Sequence, residues 1–320
     1  MSLPTLLLAL AALGADEPRV SGLPLYEPLN PLEYTRSALF APPLLRPRRT
    51  WAASVQLDYG SAVFIHTPRG RRFLLDAELG RVTLTGTVRL SSNLFVLISG
   101  GVQHASQGFL DGPLRLFHSA LGITYRERER RPENAFGYVL GREGNVQAYL
   151  PVAVALRDTR LGVGWSISEE VQLLGTLVLP TAWADGYSAR TTQFGLLGTW
   201  QRALTAWLVF QGTLGLGATP RTDAFCLLTN HQSVVFASAS LGARTAVSRR
   251  NALYAHFFLH TPVYRNTGHH SLDNSDISLD FGWSFRTDDG WEFSAGLTED
   301  LYPPGLALDV IFRFGVRYGF

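Results

Sequence analysis

Alternation of apolar and polar residues with a period of two runs through most of the chain. It is clearest at the end. From 306 to 320 every even position is apolar: Leu306, Leu308, Val310, Phe312, Phe314, Val316, Tyr318 and Phe320. The odd positions hold Asp309, Arg313, Gly315, Arg317 and Gly319, with Ala307 and Ile311 the apolar exceptions. In an extended strand these two sets point to opposite faces. The spacing predicts a long final strand with one charge-free face.

The same pattern starts after residue 50. Trp51, Ala53, Val55, Leu57 and Tyr59 oppose Ala52, Ser54, Gln56 and Asp58. Val82 to Leu90 opposes Arg81, Thr83, Thr85, Thr87 and Arg89, and Ser91-Ser92-Asn93 is a tight turn before Leu94 to Gln103 returns. Phe136 to Leu140 and Val146 to Leu156 predict a hairpin about Gly144-Asn145. Leu161 to Ile167 alternates, whereas Val171 to Pro180 is apolar on both faces and its orientation stays open. Phe194 to Trp200 leads through Gln201-Arg202 into Ala203 to Gly217. Leu253, Ala255, Phe257 and Leu259 oppose Tyr254, His256, Phe258 and His260. Ile277 to Phe285 opposes Asp276, Ser278, Asp280, Gly282, Ser284 and Arg286; a turn at Asp288-Asp289-Gly290 leads to Trp291 to Leu297.

Short and long gaps between these runs take turns, as in barrels with short periplasmic turns and longer external loops. The predicted fold is all-β: a closed antiparallel transmembrane β-barrel over 50–320. It has about fourteen strands, or twelve if Phe136 to Leu140 and one ambiguous run are not strands. A soluble barrel would alternate too, with its apolar face inward. Three features favour the membrane: an export signal, aromatics near strand ends (Trp51, Tyr59, Trp291, Tyr318, Phe320), and strands pairing a charge-free face with one of Gly, Ser, Thr, Arg and Asp. That export signal is Leu3 to Leu13, almost all Leu and Ala, with cleavage expected after Ala15 despite an n-region without Lys or Arg. No stretch has ~18 uninterrupted apolar residues, so any membrane crossing is by strands. Residues 16–49 are rich in Pro and Arg without periodicity and predict a periplasmic lead-in.

Composition narrows the chemistry. The formal net charge is +2, which exerts no general pull on nucleic acid. Every basic residue is Arg, so no lysine is present for Schiff-base chemistry. Cys226 is the single cysteine, which excludes an intrachain disulfide and a Cys-rich metal site. No cofactor motif is present. His256 and His260 share one strand face, but at ~3.3 Å per residue they stand ~13 Å apart, too far to share a metal. Gly268-His269-His270-Ser271 is a loop pair, and Ser119 beside His118 lacks acid and oxyanion partners.

If the even face of the last strand meets lipid, Arg81, Arg89, His256, His260, Asp276, Asp280, Arg286, Arg313 and Arg317 face the lumen. They either touch solute or fill a narrow barrel with ion pairs. Residues 105–133 leave the alternation. Phe109, Leu110, Leu114, Leu116, Phe117 and Leu121 suit one side of a short amphipathic helix. That segment is either a constriction carrying Asp111 and His118 into the pore or a loop packing its own apolar residues at the rim. The run from Arg126 to Arg131 is a solvated face whose guanidiniums would meet lipopolysaccharide phosphates if external.

Short motifs add a family. Asn30-Pro31-Leu32, Gly108-Phe109-Leu110-Asp111 with Phe117-His118, Leu179-Pro180-Thr181, and Glu299-Asp300 ahead of Asp309-Val310 resemble an uncharacterised family of Gram-negative outer-membrane barrels, domain of unknown function 3187. Ala182 and Leu308 depart from the family's usual Gly and Pro. The resemblance implies a fold and an outer-membrane address, with no known activity. Phe320 resembles the terminal aromatic read by the outer-membrane assembly machinery. The sequence thus predicts an outer-membrane conduit for a small solute. A lipid-modifying hydrolase and a structural barrel with a filled lumen are the alternatives.

Overall fold

The computed structural model describes residues 22–24, 26–40, 47, 49–67, 70–120, 131–301, 305, 306, 308 and 310–320, with the side chains of 117 and 118 excepted. The expected signal peptide, 1–15, and most of the run from Arg126 to Arg131 lie outside the described residues.

Twelve strands close into a barrel. They are β1 (Trp51–His66), β2 (Arg71–Arg89), β3 (Leu94–Ser106), β7 (Thr159–Ser166), β8 (Val171–Leu179), β9 (Gln193–Ala203), β10 (Leu208–Ala218), β11 (Val235–Ala246), β12 (Asn251–His260), β13 (Asp276–Arg286), β14 (Trp291–Leu301) and β15 (Val310–Tyr318). Each pairs antiparallel with its neighbour, and β1 pairs with β15 from Ala53↔Tyr318 to Ser61↔Val310. Closure leaves no free edge around the ring. The count is the smaller of the two expected. The predicted hairpin forms, as β4 (Gly137–Arg142) and β5 (Asn145–Ala148), but it extends the upper half of β2 beyond the ring. β6 (Val152–Leu156) pairs with the upper end of β3, just before β7 takes over at Ser99↔Arg160. β6 and β7 are one strand broken at Arg157-Asp158.

Apolar side chains look outward. Phe314 is 53% exposed and its neighbour Arg313 is 1% exposed. Val55, Leu84, Ile98, Val163, Leu196, Leu214, Leu241, Phe257 and Phe293 form the same exposed outer band on other strands. In β8 the open question resolves: Gln172, Leu174, Thr176 and Val178 are the buried, inward set. Among the described residues no helix is long and apolar enough to cross a membrane.

Four short turns use one device. In Leu90–Leu94, Ile167–Val171, Leu204–Leu208 and Val247–Asn251, the first two backbone N–H groups donate to the last carbonyl. The hydroxyl at the second position (Ser91, Ser168, Thr205, Ser248) accepts from two later backbone N–H groups at 3.0–3.4 Å. Thr205 thereby moves the turn expected at Gln201-Arg202 to residues 204–207, and β9 runs on to Ala203.

Segment 105–133 is not a constriction in its described part. Leu110 and Leu114, the latter in helix α1 (Asp111–Ala120), pack on Val310 beside Tyr59, Leu297 and Phe312, which belong to the outer face. Leu110 N–H donates to the buried Glu78 carboxylate, which also accepts from Tyr59 Oη at 2.5 Å. Asp111 accepts from Asn134 N–H at 2.7 Å and ties down the returning chain on that outer side. His118 lies in α1, its side chain outside the described residues. Arg131 pairs with Asp76 at 2.5 Å.

Candidate functional site: a stoppered lumen

The lumen holds a piece of the chain itself. The sequence reading put residues 16–49 in the periplasm, but residues 22–24 and 26–40 sit among the inward side chains of the barrel and are buried throughout. Aperiodic, Pro-rich chain gives no local sign of this, because its backbone is satisfied by the barrel wall rather than by a ladder of its own. Gln193 donates to the Tyr34 carbonyl at 2.7 Å, Arg160 to the Ser37 carbonyl at 2.9 Å, and Thr176 to the Ala38 carbonyl at 2.5 Å. Gly195 allows a close approach: a Cβ there would stand 2.6 Å from the Ala38 carbonyl oxygen. At the top, Asn30 caps the 3-10 helix Pro31–Leu39 by accepting from Leu32 N–H, and donates to the Leu306 carbonyl at 2.7 Å.

Strand register builds the charged belt around this stopper. Asp58 stands opposite Arg81 on one side and Arg313 on the other, so one carboxylate meets two guanidiniums. The contacts are 2.5 Å to Arg81 and 2.8 Å to Arg313, and Arg313 reaches Asp280 at 2.8 Å. Arg81 then donates to the Glu27 and Pro28 carbonyls of the stopper, each at 2.7 Å. The Glu27 carboxylate is met by Arg160 at 2.7 Å, Arg157 at 2.9 Å and Arg81 at 3.6 Å. Burial alone would push its pKa up; Arg157, Arg160 and Arg81 reverse that and hold it well below the usual carboxylate range.

Two further knots lie above and below. Arg36 of the stopper contacts both Glu33 and Asp276, and donates to the Thr261 carbonyl at 2.8 Å. Burial pushes the Glu33 carboxyl well above its usual range; Arg36 opposes this and Asp276 adds to it. Near the short-turn end, Glu292 bridges Arg317 at 2.5 Å and Arg244 at 3.2 Å, and Arg317 donates to the Gly22 and Leu23 carbonyls.

Of the residues expected in the lumen, Arg81, Asp276, Asp280, Arg313 and Arg317 therefore converge on the stopper or on its ion-pair partners. His256 is fully buried at 3.9 Å from the Phe258 ring, and His260 lies 6.1 Å from both Tyr26 and Phe40. Arg286 donates to the Phe320 carbonyl at 3.1 Å, and Arg89 sits partly buried at the end of β2. Phe320 leaves the outer face on which parity had put it. Gly319, at φ 84°, turns the end of the chain, and the Phe320 ring packs against the interior cluster of Leu39, Phe95 and Phe236. The residues missed were Glu27, Glu33 and Arg36 in the stopper, and Arg157 at the strand break. Asp58, Arg160, Arg244 and Glu292 each sit at an inward parity position and were legible by the same count.

Above the belt the interior is apolar: Leu29 and Leu32 of the stopper join Phe64, Phe73, Tyr138, Tyr149, Phe225 and Tyr264. Below it the wall carries Ser, Thr and Gln, with Thr85–Ser99 and Thr199–Thr213 pairs at 3.1 and 3.0 Å. A cavity of about 10 Å³, room for one water, remains beside the strand break, lined by Tyr34, Ser37, Gln103, Arg157, Arg160 and Tyr187 among others. Among the described residues no three metal-ligating side chains converge.

A closed twelve-stranded barrel, apolar outside and charged within, has the fold of outer-membrane channels. The COG4313 outer membrane channel from Pseudomonas putida F1 aligns with 85% of this chain and 96% of its own, at a TM-score of 0.52 and 12% identity, which shows the fold. Weaker likenesses, carrying no argument, are to a Pseudomonas aeruginosa FadL homologue (94% and 100% covered, TM-score 0.44, 8% identity) and to the KdgM porin (84% and 99%, 0.43, 8%). No curated protein matches the sequence. The chain belongs to DUF3187, a family of proteins of unknown function, whose model matches residues 35–320.

Proposed function

We propose that this protein is a gated conduit for a small solute across the outer membrane of a Gram-negative bacterium, with residues 22–40 as the gate. Its long loops face outward and its short turns the periplasm. Outer-membrane lipid and lipopolysaccharide surround it, and assembly machinery inserts it. One observation carries the reading: the lumen is closed by a segment of the chain that the wall meets through ion pairs and hydrogen bonds at Glu27, Tyr34, Arg36, Ser37 and Ala38, interactions that water can replace, beside apolar packing at Leu29, Leu32 and Leu39.

The test is a reversible lock. Ser37 Oγ lies 3.2 Å from Gln193 Oε1, so Ser37→Cys with Gln193→Cys, in a Cys226→Ser background, can be joined by a short bis-methanethiosulfonate linker that ties the stopper to the wall. Planar bilayers should stay silent when the pair is linked and conduct after a reductant cleaves the linker. The second reading is a structural barrel with a filled interior, favoured by the small size of the cavity beside the strand break. It predicts silence in both states while residues 22–40 are present.

A further inference from the structure

We propose that Arg157 and Arg160, with Arg81, form a binding site for the carboxylate of a small organic acid with an apolar body, and that Glu27 occupies this site as a built-in competitor. The inference rests on the conduit reading for its physiological sense, but the site can be tested without it.

The first observation is the asymmetry of the pairing. Glu27 is the one carboxylate that Arg157 and Arg160 contact among the described residues, at 2.9 and 2.7 Å. It belongs to the stopper, whereas both arginines belong to the wall. Asp58 cannot substitute, since it is shared between Arg81 and Arg313. Withdrawal of the stopper therefore removes the carboxylate that both guanidiniums contact; Asp158 lines the same cavity and acts on Arg157, but its oxygens are already taken by Ser188 Oγ and Ala182 N–H, so a carboxylate able to enter is favoured.

A second observation is the space beside them. The cavity at the strand break is lined by both arginines, and the buried Arg160 Nε–H has no hydrogen-bond partner, a donor open to an anionic ligand. Tyr187 supplies an aromatic wall that stays in place when the stopper moves. A solute arriving from the long-loop end would first pass the aromatic upper lumen, which suits an acid with an apolar body. Its carboxylate would take the place of Glu27 and loosen the stopper, so the ligand opens its own path.

The experiment uses the full chain, purified in detergent, with benzoate as probe and benzamide as its neutral isostere. Glu27→Gln removes the competitor with little change of shape. It should bind benzoate at least about tenfold more tightly than the native protein does, with no matching gain for benzamide. Adding Arg157→Gln and Arg160→Gln should abolish that gain. Benzoate binding to Glu27→Gln no better than to the native chain, or no better than benzamide, overturns the proposal. If Glu27→Gln does not assemble, the native protein carries the test: benzoate, and not benzamide, should speed proteolysis of the N-terminal segment, and equal rates overturn it. Bilayer current separates the two readings. Selective benzoate binding in a barrel that stays silent supports the site and sinks the conduit; current without selective binding does the reverse.

Discussion

At the scale of residues, Asp58 is the side chain on which most converges. It holds Arg81 and Arg313 in a buried belt, and all three are less than 2% exposed. Asp58→Asn should lower stability by about 3–5 kcal/mol, because two guanidiniums lose one carboxylate in a place water reaches poorly. Urea titration of the protein refolded into vesicles gives the measure, and an unchanged midpoint refutes the assignment. His269 offers a pH test at the long-loop end. Burial, His66 at 5.0 Å and the nearby Arg71 and His231 lower its pKa from the ordinary 6.5 to about 4, against a pull from Asp273. The unfolded loop then takes up the proton first. Stability of the loop is complete above pH 6.5, falls as pH drops from 6.5 to about 4, and changes no further below. Hydrogen exchange of residues 261–275 should quicken across that window in the native protein and much less in His269→Gln. The parity of strand positions assigns Arg81, Asp276, Asp280, Arg313 and Arg317 to one face, and these side chains meet the stopper or its ion-pair partners. It could not place Glu27 or Arg36, which lie on no strand.

At the scale of elements, the short turns were legible but only half read. Each consists of an apolar residue, a Ser or Thr, then two residues before the next strand residue, and the repetition of Leu-Ser, Ile-Ser, Leu-Thr and Val-Ser marks four of them. The hydroxyl caps two backbone N–H groups that would otherwise face the membrane interface. Ser168→Ala should therefore cost about 1 kcal/mol, the net worth of the bonds it removes, and leave the dependence on urea unchanged in slope. A midpoint equal to that of the native protein argues that water replaces the hydroxyl at no loss. The strand count went the other way. Gly137–Arg142 and Val152–Leu156 are strands, as alternation predicted, but alternation carries no information on whether a strand joins a ring or extends one. The decisive event, β2 leaving β3 for β4 near residue 77, is a tertiary choice. Helix α1 shows the same limit: its apolar side was visible, its seat on the outer wall was not.

At the scale of the whole molecule, everything depends on which side of the wall is wet. The outer band is apolar, the belt inside is ionic, and the inner upper half is apolar again, so hydrophobicity alone does not tell inside from outside here. The tryptophans do. Trp51, Trp165, Trp200, Trp283 and Trp291 stand at the short-turn ends of five strands, each between 39% and 54% exposed. An indole exposed at a strand end belongs at the boundary between head groups and hydrocarbon, where its ring is solvated by lipid and its N–H by water. Trp207 lies in one of the short turns, so six of the chain's seven tryptophans report the same membrane face. In vesicles, lipids brominated close to the head group should quench the emission more strongly than lipids brominated near the bilayer centre. Stronger quenching from the centre would displace the barrel along the membrane normal. Absence of quenching by either lipid would mean that the apolar band does not face hydrocarbon, and the stopper would then close no passage between two compartments.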